Sequence, residues 1–167
     1  MRSNFAVALL LCTMTSSFTS SCPSECTGCT DGGPRIRVAC TGVTAFPQRI
    51  PNATKILRIW NSRLDFIPLN TFVNLSELEV LYLDDVSLRM IHGDALSPLA
   101  ELRILSLRYN KLRDIPSLSN LTKLVRLNLA HNDIGYVSKN SFAGAPNLKT
   151  LVLDHNRMRF LNHDTFL

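Results

Sequence analysis

The sequence predicts an α/β solenoid: short coils stacked in a curve, a parallel β-sheet on the concave face, irregular or 3-10 segments on the convex face, and a disulfide-bonded N-terminal cap. Three observations predict it. The apolar residues of Leu102 to Ile115, LRILSLRYNKLRDI, follow neither a helical period nor a simple alternation, with leucines at 102, 105, 107 and 112 and Asn110 between the last two. The same template recurs from Thr54, Leu78, Leu102, Leu124 and Leu148, at spacings of 24, 24, 22 and 24 residues, and a fixed period in this range is the mark of a solenoid. Cysteines at 22, 26, 29 and 40 precede the first repeat, where an uncovered end coil would otherwise present its leucines to water.

Residues 1–21 are set apart from the fold. Arg2 precedes an apolar run from Phe5 to Cys12, and small polar residues follow, the arrangement of a secretory signal peptide with cleavage after Ser21. A membrane anchor needs about 20 apolar residues, and this run is far shorter. Removing residues 1–21 takes away Arg2 and no acid, lowering the formal charge from +5 to +4. So modest an excess implies no nucleic-acid partner, and no later stretch is apolar enough to span a membrane.

Residues 22–53 form the cap. Four cysteines in a short secreted segment predict two disulfides, with three connectivities open to sequence alone. Zinc is the competing use of four cysteines. The secretory leader and the lack of a repeated C-x2-C pair argue against it.

Residues 54–167 hold five repeats, the last incomplete. In the L-x-L core of each repeat the two apolar residues face one side of a short strand and their neighbours the other. The inward set is Leu57, Ile59, Leu64 and Ile67, then Leu81, Leu83, Leu88 and Ile91, then Leu105, Leu107, Leu112 and Ile115. Leu127, Leu129, Ile134 and Val137 continue it, and Leu151, Leu153, Met158 and Leu161 close it. A second internal column is expected at Phe72, Leu96, Leu118, Phe142 and Phe166. Each fully buried side chain of this size is worth about 1.5 to 3 kcal/mol, and a coil collects that energy only when stacked.

The motif L-x-x-L-x-L-x-x-N-x-L, carried over about two thirds of the chain, resembles the extracellular leucine-rich-repeat proteins: Slit-type, Toll-like, small-proteoglycan and variable lymphocyte receptor ectodomains. The resemblance implies that Asn110, Asn132 and Asn156 bond backbone groups of the turn between coils. Ser62 and Val86 stand at that position in the first two repeats, and a looser ladder is expected there. The cysteine segment, running into Pro47 and Pro51, is similar to the family's N-terminal cap, with a longer loop from Thr30 to Ala39. That likeness implies pairing of Cys22 with Cys29 and Cys26 with Cys40. The family closes its solenoids with a cysteine-rich C-terminal cap; the sequence has none up to Leu167, inside the fifth repeat, so the chain is expected to be the N-terminal part of a longer protein, the alternative being that something else covers the end.

Sequons at Asn52, Asn74 and Asn120 are expected glycosylation sites behind a signal peptide, placed away from the concave sheet. The outward strand positions form columns: Arg58, Tyr82, Ser106, Asn128, Val152; Trp60, Asp84, Arg108, Ala130, Asp154; and Asn61, Asp85, Tyr109, His131, His155. Aromatic residues and arginine most often anchor interfaces, so the expected binding residues are Arg58, Trp60, Tyr82, Asp84, Arg108, Tyr109, His131, Asp154 and His155. Arg108, as an outward residue, is expected to matter little for stability.

Ser106, His131 and Asp154 lie on neighbouring coils, but a triad also needs an oxyanion hole and a pocket, and no motif supplies them. No enzyme activity and no cofactor are expected. His131 and His155 share a column, a pairing that can take a metal or report pH; they are read as exposed histidines, with no metal site. The expected function is a secreted or cell-surface module that binds an extracellular protein or glycan through its concave face. The alternatives are a signalling-receptor ectodomain and a proteoglycan-like matrix protein.

Overall fold

The computed structural model describes residues 22–30 and 36–159. The expected signal peptide, Leu161 and Phe166 lie outside the described residues. Among the described residues nine strands run in the order β1 (Cys26–Thr30), β2 (Ile36–Thr41), β3 (Thr54–Trp60), β4 (Phe66–Ile67), β5 (Val80–Asp84), β6 (Met90–Ile91), β7 (Ile104–Ser106), β8 (Arg126–Asn128) and β9 (Thr150–Val152). Seven of them form one sheet in the order β1-β2-β3-β5-β7-β8-β9, and β4 pairs with β6 apart from it.

From β2 onward the large sheet is parallel, as stacked coils of one handedness require. Leu57, Leu81, Leu105, Leu127 and Leu151 stand in register across it. The expected inward residues of the first four repeats are buried, apart from Ile115, which is partly covered. Phe72, Leu96 and Leu118 are buried behind them, and Phe142 is half-buried.

On the convex side the chain turns twice per coil without forming a helix among the described residues. Leu75 N–H donates to Phe72 O and Leu78 N–H to Leu75 O, and the pattern repeats at Leu99 and Leu102, Leu121 and Leu124, and Ala145 and Leu148. These turns drive Leu75, Leu99 and Leu121 into the interior as a further apolar column.

The asparagine ladder is built as the resemblance implies. Asn110 Oδ1 accepts from Val86 N at 3.1 Å and Leu88 N at 3.0 Å, while its Nδ2 donates to Leu83 O at 2.7 Å and Leu107 O at 2.9 Å. Asn132 and Asn156 repeat this one and two coils on, receiving Leu112 N and Ile134 N. The looser ladder expected at Ser62 and Val86 is not found. Leu64 N–H donates to Val86 O at 2.8 Å in place of a side-chain amide, and the Val86 side chain packs into the core. Ser62 Oγ donates to Trp60 O and accepts from Val43 N, which ties the first coil to the cap. β3 and β5 pair over five residues, against three for β7 with β8, so between repeats the pairing is longest where it was expected to be weakest.

Both disulfides, Cys22–Cys29 and Cys26–Cys40, are formed. The second half of the expected Thr30 to Ala39 loop is strand: Ile36 to Ala39 belong to β2, antiparallel to β1 and parallel to β3. The alternation of Ile36, Val38 and Cys40 with Arg37 and Ala39 accounts for this. Phe46 closes the cap against Phe72, ring centroids 5.2 Å apart and nearly perpendicular.

Candidate functional site

Register places the outward columns side by side on the concave sheet. Arg58, Tyr82, Ser106, Asn128 and Val152 occupy one line across β3, β5, β7, β8 and β9. Trp60 stands opposite Asp84 in the next. A further column, Ile56, Val80, Ile104, Arg126 and Thr150, shares this face. Sequence reasoning passed over it, although the same period-two alternation that faced Arg58 outward places Ile56 beside it.

The third expected column has a backbone signature of its own. Asn61, Asp85, Tyr109, His131 and His155 all adopt left-handed φ, between 46° and 56°, as the chain leaves each strand. That conformation is uncommon outside glycine, and Asn, Asp and His tolerate it best. Because the backbone repeats, so do the side-chain directions. Tyr109 and His131 stack with ring centroids 4.3 Å apart and planes 15° apart, and His131 stacks on His155 at 4.1 Å and 16°.

Two cation–π groupings lie nearby. The Arg58 guanidinium sits 5.0 Å from the Trp60 ring and 6.0 Å from that of Tyr82, and Arg108 sits 5.6 Å from Tyr109. Tyr109 is exposed, and Trp60 and Tyr82 are half-buried. The middle coils enclose a shallow depression of about 480 Å³, lined by Arg58, Tyr82, Ser106, Arg108, Arg126 and Asn128 among others.

Asp84 is not the open carboxylate that its outward position suggested. Only 7% of the residue is exposed. Its Oδ1 accepts from Ser106 Oγ at 2.6 Å and Arg108 N at 3.2 Å, and its Oδ2 from Arg108 Nε at 3.1 Å. It anchors the floor of the depression and holds Arg108 in place. The Ser106 hydroxyl is committed to that bond. Asp154 Oδ2 meets His155 Nδ1 at 2.8 Å, a hydrogen bond that holds the exposed Asp154 carboxyl below the usual carboxylate range. Ser106, His131 and Asp154 are therefore not joined in a relay.

The three sequon asparagines are exposed and lie off the concave sheet. Asn52 and Asn74 line a separate depression of about 720 Å³ between cap and first coil, with Phe66, Leu69 and Val73. Asn120 is different, because its Nδ2 donates to Ser97 O of the preceding coil at 2.8 Å.

A parallel-stranded solenoid of about 24-residue coils, pinned by an asparagine ladder, defines a class of repeat proteins. The chain belongs to the leucine-rich-repeat family: the family profile, Leucine rich repeat, matches residues 53–112 and 113–158. It is 33% identical over 125 residues to leucine-rich repeat-containing G-protein coupled receptor 5 of Rattus norvegicus, covering 75% of this chain and 14% of that protein. It is 29% identical over 116 residues to fibromodulin of Sus scrofa, covering 70% of this chain and 78% of fibromodulin. Among solved structures, the TLR13–ssRNA13 complex contains a chain that superposes with TM-score 0.58 at 26% identity, over 69% of this chain and 20% of that one. The chain thus spans a small part of the receptors it resembles and most of the fibromodulin it matches.

Proposed function

We propose that the protein is an extracellular recognition module that binds a protein or glycan through its concave sheet. The observation that carries this proposal is the assignment of roles along each strand. Leucines fill the interior, while Arg58, Trp60, Tyr82, Arg108 and Tyr109 occupy the opposite face with no core duty and are organised by cation–π contacts. Arginine and aromatic side chains held in this way lose little freedom on binding, the condition under which they act as anchors. The family relationship favours the same reading, since a receptor and fibromodulin are among the relatives. Whether the native protein is a receptor ectodomain or a matrix protein is decided by what adjoins this module, and both alternatives use the same face.

Glycans on Asn52 and Asn74 would lie over the cap-side depression and leave the concave sheet open. A glycan on Asn120 has to coexist with the bond from its amide to Ser97 O, which makes Asn120 the least accessible of the three.

The test begins with a ligand found by screening the secreted module against extracellular proteins and glycans. Tyr82→Ala and Tyr109→Ala are then compared with removal of the sequons at Asn74 and Asn120. Central anchors lose about 2 kcal/mol or more on truncation, roughly a thirtyfold weakening. If binding survives both tyrosine changes and is abolished by a change on the sequon side, the concave face is not the binding surface.

A further inference from the structure

We infer that His131, His155 and Asp154 form a binding site for one late first-row divalent ion, of the zinc or copper type, at the edge of the concave sheet. One donor atom from each of the three lies within 4.8 Å of the other two. The grouping follows from the solenoid itself. His131 and His155 occupy the same left-handed position on successive coils, both with φ of 54°. Equal backbone geometry one coil apart aims both imidazoles the same way and brings their rings to 4.1 Å. Asp154 precedes His155 and already touches its Nδ1 at 2.8 Å.

The chemistry of the donors selects the ion. Imidazole suits zinc, copper and nickel, whereas calcium and magnesium prefer an all-oxygen shell. Two imidazoles and one carboxylate match the three-ligand sets that zinc accepts while keeping a fourth position open. Tetrahedral zinc with bonds of about 2.0 to 2.1 Å spaces its donors roughly 3.3 Å apart, so separations that now reach 4.8 Å have to close by up to about 1.5 Å. Its outer members allow that, since Asp154 and His155 are exposed. The inner member is held: His131 is half-buried and stacked on Tyr109 at 4.3 Å. One fixed imidazole and two adjustable ligands make a site that closes around the ion by rotation of His155 and Asp154.

The experiment is calorimetric titration of the untagged, folded chain with zinc chloride near neutral pH in a non-coordinating buffer. Saturable binding of one zinc per chain is expected, with no comparable heat from calcium or magnesium. His131→Ala and His155→Ala should each weaken it about tenfold or more, on the scale at which even supporting residues of metal sites matter. Asp154→Asn should weaken it less, while His92→Ala leaves it unchanged. If a variant fails to fold by circular dichroism, the wild-type proton spectrum decides: zinc must shift the ring signals of His131 and His155 and spare that of His92. Absence of saturable binding, unchanged affinity in both histidine variants, or a zinc-induced shift at the His92 ring as well overturns the inference.

Discussion

At the scale of single residues, Asp84 departs furthest from what its position implied. Strand alternation states which side of a sheet a side chain leaves, and it was right that Asp84 leaves on the concave side. It does not state depth, which here is set by the neighbours on the next coil: Ser106 and Arg108 reach over the carboxylate and take both of its oxygens. The consequence is a revised cost for Arg108. Treated as a solvated outward residue, it would be worth no more than about 0.5 kcal/mol. With Asp84 at 10% side-chain exposure, Arg108→Ala leaves a carboxylate short of a partner, and the expected loss rises to about 1 to 3 kcal/mol. Urea unfolding of the variant measures it. A loss below half a kilocalorie would mean that water replaces the guanidinium freely. Asn110 illustrates the reverse case, where the motif alone specified the role, because only an amide offers an acceptor and two donors at one place. Asn110→Ala orphans the buried Val86 and Leu88 N–H groups, each at about 1 to 3 kcal/mol. It should therefore cost more than Asn156→Ala, whose amide is only partly buried.

At the scale of elements, the repeats were legible because the sequence states their register five times, once in each, and the core assignment follows from that redundancy. The cap states its register once. Its cysteines are visible in the sequence, yet Ile36 to Ala39 reads as loop there and is strand in the structure, because five residues of alternation are a weak signal beside a strong cysteine spacing. The first two coils misled for a related reason: the motif marked Val86 as a missing amide but could not show that a backbone carbonyl would receive Leu64 N–H in its place. The candidate site was legible in its columns and not in its contacts, since cation–π and ring stacking depend on rotamers that a sequence does not specify. The cap also fixes an expectation for its disulfides. Cys26–Cys40 bridges the antiparallel hairpin whose second strand, β2, covers Leu57 and Ile59 through its pairing with β3. Cys40→Ser should cost about 2 to 5 kcal/mol, read by chemical unfolding against the parent, and Cys22→Ser should cost less because its loop closes over seven residues instead of fourteen. Equal losses would place the stabilisation outside the loop-closure account.

For the whole molecule, a solenoid distributes stability along one axis, since each coil touches only its neighbours and no central core averages the differences. Burial follows that axis. Leu57, Leu81, Leu105 and Leu127 are at most 1% exposed, whereas Leu151, Leu153 and Met158 on the fifth coil are only partly covered. The cap end is braced by two disulfides and by the longest strand pairings, six partners between β2 and β3 and five between β3 and β5. In a polypeptide of these 167 residues alone, stability should accordingly fall from the cap toward β9. Leu105→Ala opens a cavity in a fully packed coil and is expected to cost about 2 to 5 kcal/mol. The same truncation at Leu151 removes a side chain already partly in water, so its cost should be clearly smaller. Native-state hydrogen exchange tests the gradient directly, because local opening exposes the least protected segments first. The amides of Leu83 and Leu105 should be exchanged only by near-global unfolding, and that of Val152 by local opening at lower free energy. Uniform protection from β3 to β9 would mean that the coils unfold as one unit, and nearest-neighbour stacking would then fail to describe this chain.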